Sequence, residues 1–126
     1  MKWGDYIPTY FLATIADHIV LWQSAFKGPA LLSGKSKFTL AGSGHLAGVI
    51  NPPEGGKYPH WQNDNLAETP EEWFTHATEK PGSWWPDWHN WLHTNAGNKV
   101  TSPKPGKHKS FPAIEDAPGR YVKKRL

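Results

Sequence analysis

The chain has 126 residues, 37% of them hydrophobic, no cysteine, and a net charge of +3 from 14 basic and 11 acidic side chains. That length is one domain or less, and the missing cysteine excludes disulfides, thiolate metal sites and a thiol nucleophile supplied by these residues. The mild excess of positive charge gathers in Lys99–Lys109 and Lys123–Arg125; it reads as solvated tail rather than as a nucleic-acid surface, and no run approaches the ~20 apolar residues of a membrane span.

Lys2 ahead of apolar residues imitates a secretory leader, but Asp5, Pro8, Asp17 and His18 interrupt the run and no cleavage pattern follows. The chain is therefore read as cytoplasmic. "IPTYFLATIA", residues 7–16, is aromatic and β-branched and predicts a buried strand starting after Pro8. Trp22, Ala25 and Phe26 stand at i, i+3 and i+4, one face of a short helix that Gly28-Pro29 must break or kink. "FTLAG" then predicts a second short strand. Strand, helix, strand implies a parallel pair joined by a right-handed crossover.

Residues 51–70, rich in Pro, Gly and Asn, read as a long polar loop. Thr69-Pro70-Glu71-Glu72 starts a helix, with Thr69 as cap, Pro70 in the first position and Glu72 closing a capping box; it should run to about Thr78. "WWPDWHNWLH" is a second amphipathic segment, its Trp84, Trp88, Trp91 and Leu92 on one face. From Thr94 onward the composition predicts an extended tail without helix or strand. There is no internal repeat.

Asp17 and His45 each follow a predicted strand, and ligands of parallel sheets bind at the carboxyl ends of strands. In α/β-hydrolases an acid and then a histidine lie on loops after late strands. The glycines around His45 let the backbone turn sharply, so that the imidazole can serve as a base. A capping aspartate and a structural histidine explain the same residues, and spacing does not decide between them. No G-x-S-x-G or G-x-C-x-G elbow occurs, and Ser43, whose strand runs straight into the histidine loop, is a poor nucleophile. His89 and His93 have zinc-ligand spacing, but H-N-W-L-H lacks the glutamate of a zinc protease and has no evident third ligand. A rim or solvent-facing pair is the simpler reading. "GSGHLAG" has the wrong spacing for a dinucleotide loop. The tryptophans at 84–91 serve packing or the binding of an apolar polymer or partner.

Four blocks, "ATIADHIVLW" (13–22), "GSGHLAGVINPP" (42–53), "GSWWPDWHNWL" (82–92) and "APGRYVKKR" (117–125), resemble the C-terminal blocks of class I poly(3-hydroxyalkanoate) synthases, the polyhydroxybutyrate polymerases. They stand in the family's order and spacing from about Ile7 to Arg125 and cover only the last part of such an enzyme. The resemblance implies a partial α/β-hydrolase fold: the last two parallel strands, their crossover helix, C-terminal helices and an extended tail. Residues 1–98 would be the C-terminal part of the catalytic domain and 99–126 the Pro/Lys-rich tail. It further implies that a cysteine elsewhere attacks the thioester of 3-hydroxyacyl-coenzyme A, and that His45 takes its proton. Asp17 would help to activate the 3-hydroxyl of the incoming unit and orient His45, and both side chains would face one cavity. Coenzyme A thioester is then the substrate, and neither a cofactor nor a metal is expected. The implied partners are the polyester chain, its granule surface and a synthase subunit, either a homodimer mate or a split half. The alternative is a non-catalytic granule- or subunit-binding module. Leu21 and Asp116 stand where the family usually has proline.

Overall fold

A computed structural model of the chain describes residues 7–104 and 106–125; Lys2 and Asp5 of the leader-like stretch lie outside them. Strand β1, Thr9–Thr14, pairs in parallel with β2, Ser36–Ala41, in the register Thr9↔Ser36 to Thr14↔Ala41. Between them α1, Trp22–Ala25, is a single turn, and a 3-10 turn follows at Pro29–Leu31. Proline has no N–H for the helical ladder and its ring clashes with the preceding turn, so Gly28-Pro29 stops the helix where the sequence places the break.

Residues 51–70 are not loop throughout. His60–Gln62 forms β3, antiparallel to β2 through Ala41↔His60 and Thr39↔Gln62. Three residues give too short an alternation to register as a strand; the pairing comes from the β2 edge they meet. Helix α2, Pro70–Thr75, begins at the expected cap, with Thr69 Oγ1 accepting the Glu72 N–H at 3.2 Å; the return bond from the Glu72 carboxylate that would close a capping box is absent among the described residues. It ends before Thr78 because the chain rejoins the sheet as β4, Thr78–Lys80, antiparallel to β3. The sheet order is β1-β2-β3-β4, with β1 and β4 at its edges. Helix α3 spans Trp85–Asn95. The tail is not wholly extended: Lys107–His108 (β5) and Phe111–Pro112 (β6) form a small antiparallel hairpin, and Tyr121–Lys123 a 3-10 turn.

Alternation along the strands divides the sheet into two unlike faces. Phe38 and Leu40 point to α1 and α2, where Trp22, Phe26 and Trp73 complete a buried cluster flanked by Phe11, Ala13 and Trp61. Phe26–Phe38 and Phe38–Trp73 are edge-on pairs with centroids 5.0 Å apart, the arrangement that ring quadrupoles favour. Tyr10 and Lys37 point the other way. Tyr10 stacks on Trp84 and meets Trp91 edge-on, while its hydroxyl donates to Asp87 at 2.8 Å and Lys37 Nζ pairs with the second Asp87 oxygen at 2.8 Å. Helix α3 is thus fixed to the sheet by one aromatic stack and one carboxylate. Its apolar face is only partly covered: Trp84 is buried, whereas Trp88 and Leu92 are exposed.

Burial of Asp87 pushes its carboxyl up, but the Lys37 ammonium and Tyr10 hydroxyl outweigh this and hold it below the usual range. A depressed carboxyl contributes stability above its unfolded pKa and loses it as pH falls through the folded one. Acid should therefore loosen α3 before the Trp73 cluster, and Asp87→Asn should reduce that pH dependence in denaturant melts between about pH 5 and pH 2. Trp73→Ala should cost about 3–5 kcal/mol, while Leu31→Ala, at an exposed position, should stay within about 0.5 kcal/mol; equilibrium unfolding checks both.

Candidate functional site

The parallel ladder continues past the ends of β1 and β2. Ile15 N–H donates to Ala41 O at 2.9 Å, and Ala16 N–H to Ser43 O at 3.0 Å. These bonds bring the residues after both strands side by side. Asp17, next in line, turns back with its N–H on Thr14 O at 3.2 Å. Its Oδ1 accepts the backbone N–H groups of Ile19 at 2.8 Å and Val20 at 3.1 Å. Across from it His45 Nδ1 lies 3.8 Å from the same oxygen, and the His18 ring is 5.2 Å from that of His45. The structure therefore brings Asp17 and His45 together, as their positions after parallel strands predict.

The N–H groups of Val20 and Ile19, and then the charges of His45 and His18, hold the Asp17 carboxyl below the usual carboxylate range. It remains ionised at neutral pH and faces the Nδ1 edge of His45. A negative charge there favours the neutral tautomer with its proton on Nδ1 and orients the ring. Nε2, across the ring, is then the nitrogen available to a reacting group.

The loop carrying His45 is held from several sides. Ser43 has φ +69, the left-handed region that non-glycine residues seldom occupy, and this reverses the chain after β2. Gly48 N–H then closes on Gly44 O at 2.8 Å. A Cβ on Gly48 would overlap the Gly42 carbonyl oxygen and stand 2.7 Å from Thr14 Cγ2, so only glycine fits. Trp84 Nε1–H donates to the carbonyls of Gly48 (3.1 Å) and Val49 (3.2 Å), and Trp85 Nε1–H to Val49 O at 2.9 Å. Asn51 Nδ2 donates to Tyr58 O at 2.9 Å. The Tyr58 hydroxyl faces Lys57 and Ser43, which lower its pKa. Residues 84 and 85 brace the loop that carries His45, a contact that pattern reading did not find when it assigned them to packing or binding. Their tandem indole donors ahead of Pro86 were the available signal, but nothing in the sequence names the carbonyls they reach.

A cavity walled around the pair is not what these residues form. The His45 side chain is 36% exposed; Ile19, Val20 and Leu21, which follow Asp17, and Leu46 and Ile50, which follow His45, are exposed as well. A cavity of about 440 Å³ opens instead near the amino ends of the strands, lined in part by Pro8, Lys35, Lys37 and Trp91. His89 and His93 face each other on α3, and no group of three or more metal-ligating side chains occurs among the described residues.

Carbon-detected NMR titration of Asp17 should give a midpoint below that of an ordinary aspartate. In Asp17→Asn the His45 resonances should lose their response to that titration. Gly48→Ala should destabilise the chain by about 1–3 kcal/mol through overpacking and broaden the His45 resonances, which heteronuclear spectra would record.

No family model matches the chain. Curated proteins do. It is 50% identical over 117 residues to the poly(3-hydroxyalkanoate) polymerase subunit PhaC of Cupriavidus necator, covering 93% of this chain and 20% of that protein. The PhaC subunit of Rhizobium etli is 46% identical over 119 residues, 94% of this chain and 19% of the relative. A poly(3-hydroxyalkanoate) polymerase of Methylorubrum extorquens is 42% identical over 118 residues, 93% and 19% of the two chains. The chain thus spans about a fifth of the length of the curated relatives it matches. On this sequence similarity it belongs to the poly(3-hydroxyalkanoate) synthases and corresponds to their C-terminal segment.

Proposed function

We propose that these residues supply the acid and base of a polyester-forming acyltransferase whose cysteine lies in polypeptide beyond them, either continuous with this chain or separate from it. The observation that carries the reading is the Asp17–His45 pair at the carboxyl ends of two parallel strands, 3.8 Å apart and open to an approaching group. In this scheme the cysteine thiol gives its proton to His45 Nε2, and the thiolate attacks the thioester carbonyl of 3-hydroxyacyl-coenzyme A. The carbon–sulfur bond to coenzyme A breaks, and the departing thiolate takes the proton back from His45. The acyl group, now on cysteine, is transferred when a 3-hydroxyl gives its proton to His45 and attacks the cysteinyl thioester; the carbon–sulfur bond to cysteine breaks and the cysteine thiolate takes that proton back. Asp17 keeps His45 oriented and its positive charge balanced through these steps, and assists the hydroxyl.

Fold and surface support an incomplete unit of α/β-hydrolase type. Parallel sheets need strands and helices on both faces, yet β1 has an unpaired edge among the described residues. Ile19, Val20, Leu21, Leu46 and Ile50, exposed around the pair, form the kind of apolar surface that marks a contact with further protein. The acyl pocket would be completed from that side. The same exposed residues favour a second reading, a module that attaches to another synthase subunit or to the polymer granule without chemistry of its own. No helix among the described residues is long and apolar enough to cross a membrane, so granule attachment would be peripheral.

Without a nucleophile the covalent path is closed, and an elbow donor to the oxyanion is itself worth ~10²–10³ in rate. The chain alone should release no thiol from 3-hydroxybutyryl-coenzyme A. Mixed with a polypeptide carrying the cysteine part of a synthase, it should restore release, and His45→Ala should lower the restored rate about 10²–10⁴-fold. Binding to that polypeptide or to granules with no thiol release would instead establish the attachment module.

A further inference from the structure

We infer that His89 and His93 form a two-nitrogen surface chelate for a divalent transition-metal ion, with the right-angle geometry of Cu(II) or Ni(II). Both side chains are exposed on α3, one helical turn apart. Their Nε2 atoms are 3.0 Å apart while the ring centres are 4.5 Å apart with an interplanar angle of 30°. The rings therefore lean together at their Nε2 ends, which brings both nitrogens within reach of one shared ion on the exposed helix face.

The separation selects among metals. With metal–imidazole bonds of ~2.0–2.1 Å, two nitrogens at 90° lie about 2.9 Å apart, and at the tetrahedral angle about 3.4 Å apart. The observed 3.0 Å fits adjacent positions of a square-planar or octahedral ion, the arrangement of Cu(II) and Ni(II). The absent glutamate and third ligand exclude a zinc-protease centre, but a chelate open to water needs neither. Water would fill the remaining positions. Without metal, one Nε2–H donates to the other Nε2. On binding, that proton leaves Nε2 and solvent returns one to Nδ1 of the same ring, so both rings remain neutral and the ion brings the only new charge. His89 also borders a shallow surface cavity lined otherwise by Pro53, Trp85, Pro86 and Trp88; this apolar wall limits water on one side of the ion. The site is separate from Asp17 and His45 and does not depend on the acyl-transfer reading.

The test is Cu(II) titration of the full chain by calorimetry against a weak competing chelator, with electron paramagnetic resonance of the complex. One ion per chain should bind, with hyperfine splitting from two imidazole nitrogens. His93→Ala should weaken binding at least about tenfold, because one arm of the chelate is lost. Exchanging the neighbours, Leu92→His with His93→Leu, keeps the histidine count but breaks the spacing, and should weaken it as much. His108→Ala should leave it unchanged, and Ni(II) should give the same order of variants. Equal affinity in the wild type, His93→Ala and the exchanged pair would overturn the proposal, as would loss of the ion in His108→Ala alone or no stoichiometric binding.

Discussion

The parallel register of β1 on β2 is the constraint from which the rest follows. In this register Thr14 meets Ala41 at the end of the strands, and the next two N–H groups after β1 find the carbonyls of Ala41 and Ser43. A slip of one residue would turn Phe38 and Leu40 out of the apolar layer and move Asp17 away from His45. The same hydrogen bonds thus assemble the core and bring together two side chains separated in sequence by α1, a 3-10 turn and the whole of β2. Stability and site geometry are not independent properties here.

The two faces of the sheet are held by different means. On one, large rings interdigitate around Trp73 and Phe38, and the attraction is spread over many atoms. On the other, Thr14 Oγ1, Thr39 Oγ1, His60 Nε2 and Gln62 Nε2 are buried without a protein partner, although His60 Nδ1 is bonded to Gly82 O at 2.9 Å. Buried groups of that kind weaken a layer. The Tyr10–Asp87–Lys37 link and the stack on Trp84 offset the cost locally. Helix α3 is consequently joined by a few directional contacts, whereas α1 and α2 are joined by bulk.

Much of this was legible in the sequence where the signal is local. The β-branched and aromatic run before Asp17 gave β1, Gly28-Pro29 gave the end of α1, and Thr69-Pro70 gave the start of α2. The strands β3 and β4 were not legible, because three-residue strands owe their existence to the edge they pair with and carry no periodicity of their own. For the candidate site, the placement of Asp17 and His45 after strands was enough to bring them together. The bracing of the histidine loop was hidden, since indole-to-carbonyl bonds run from residues 84 and 85 to 48 and 49 and leave no trace in spacing.

That bracing has a spectroscopic consequence. The Trp84 indole is buried against Tyr10 on one side and bound through its N–H to the backbone three and four residues beyond His45 on the other. The indole N–H resonance responds to its acceptor, and its emission responds to the polarity around the ring. A single probe, such as fluorine placed on this tryptophan, would therefore report rearrangement of the histidine turn as substrate or neighbouring protein arrives, without a label near the chemistry itself.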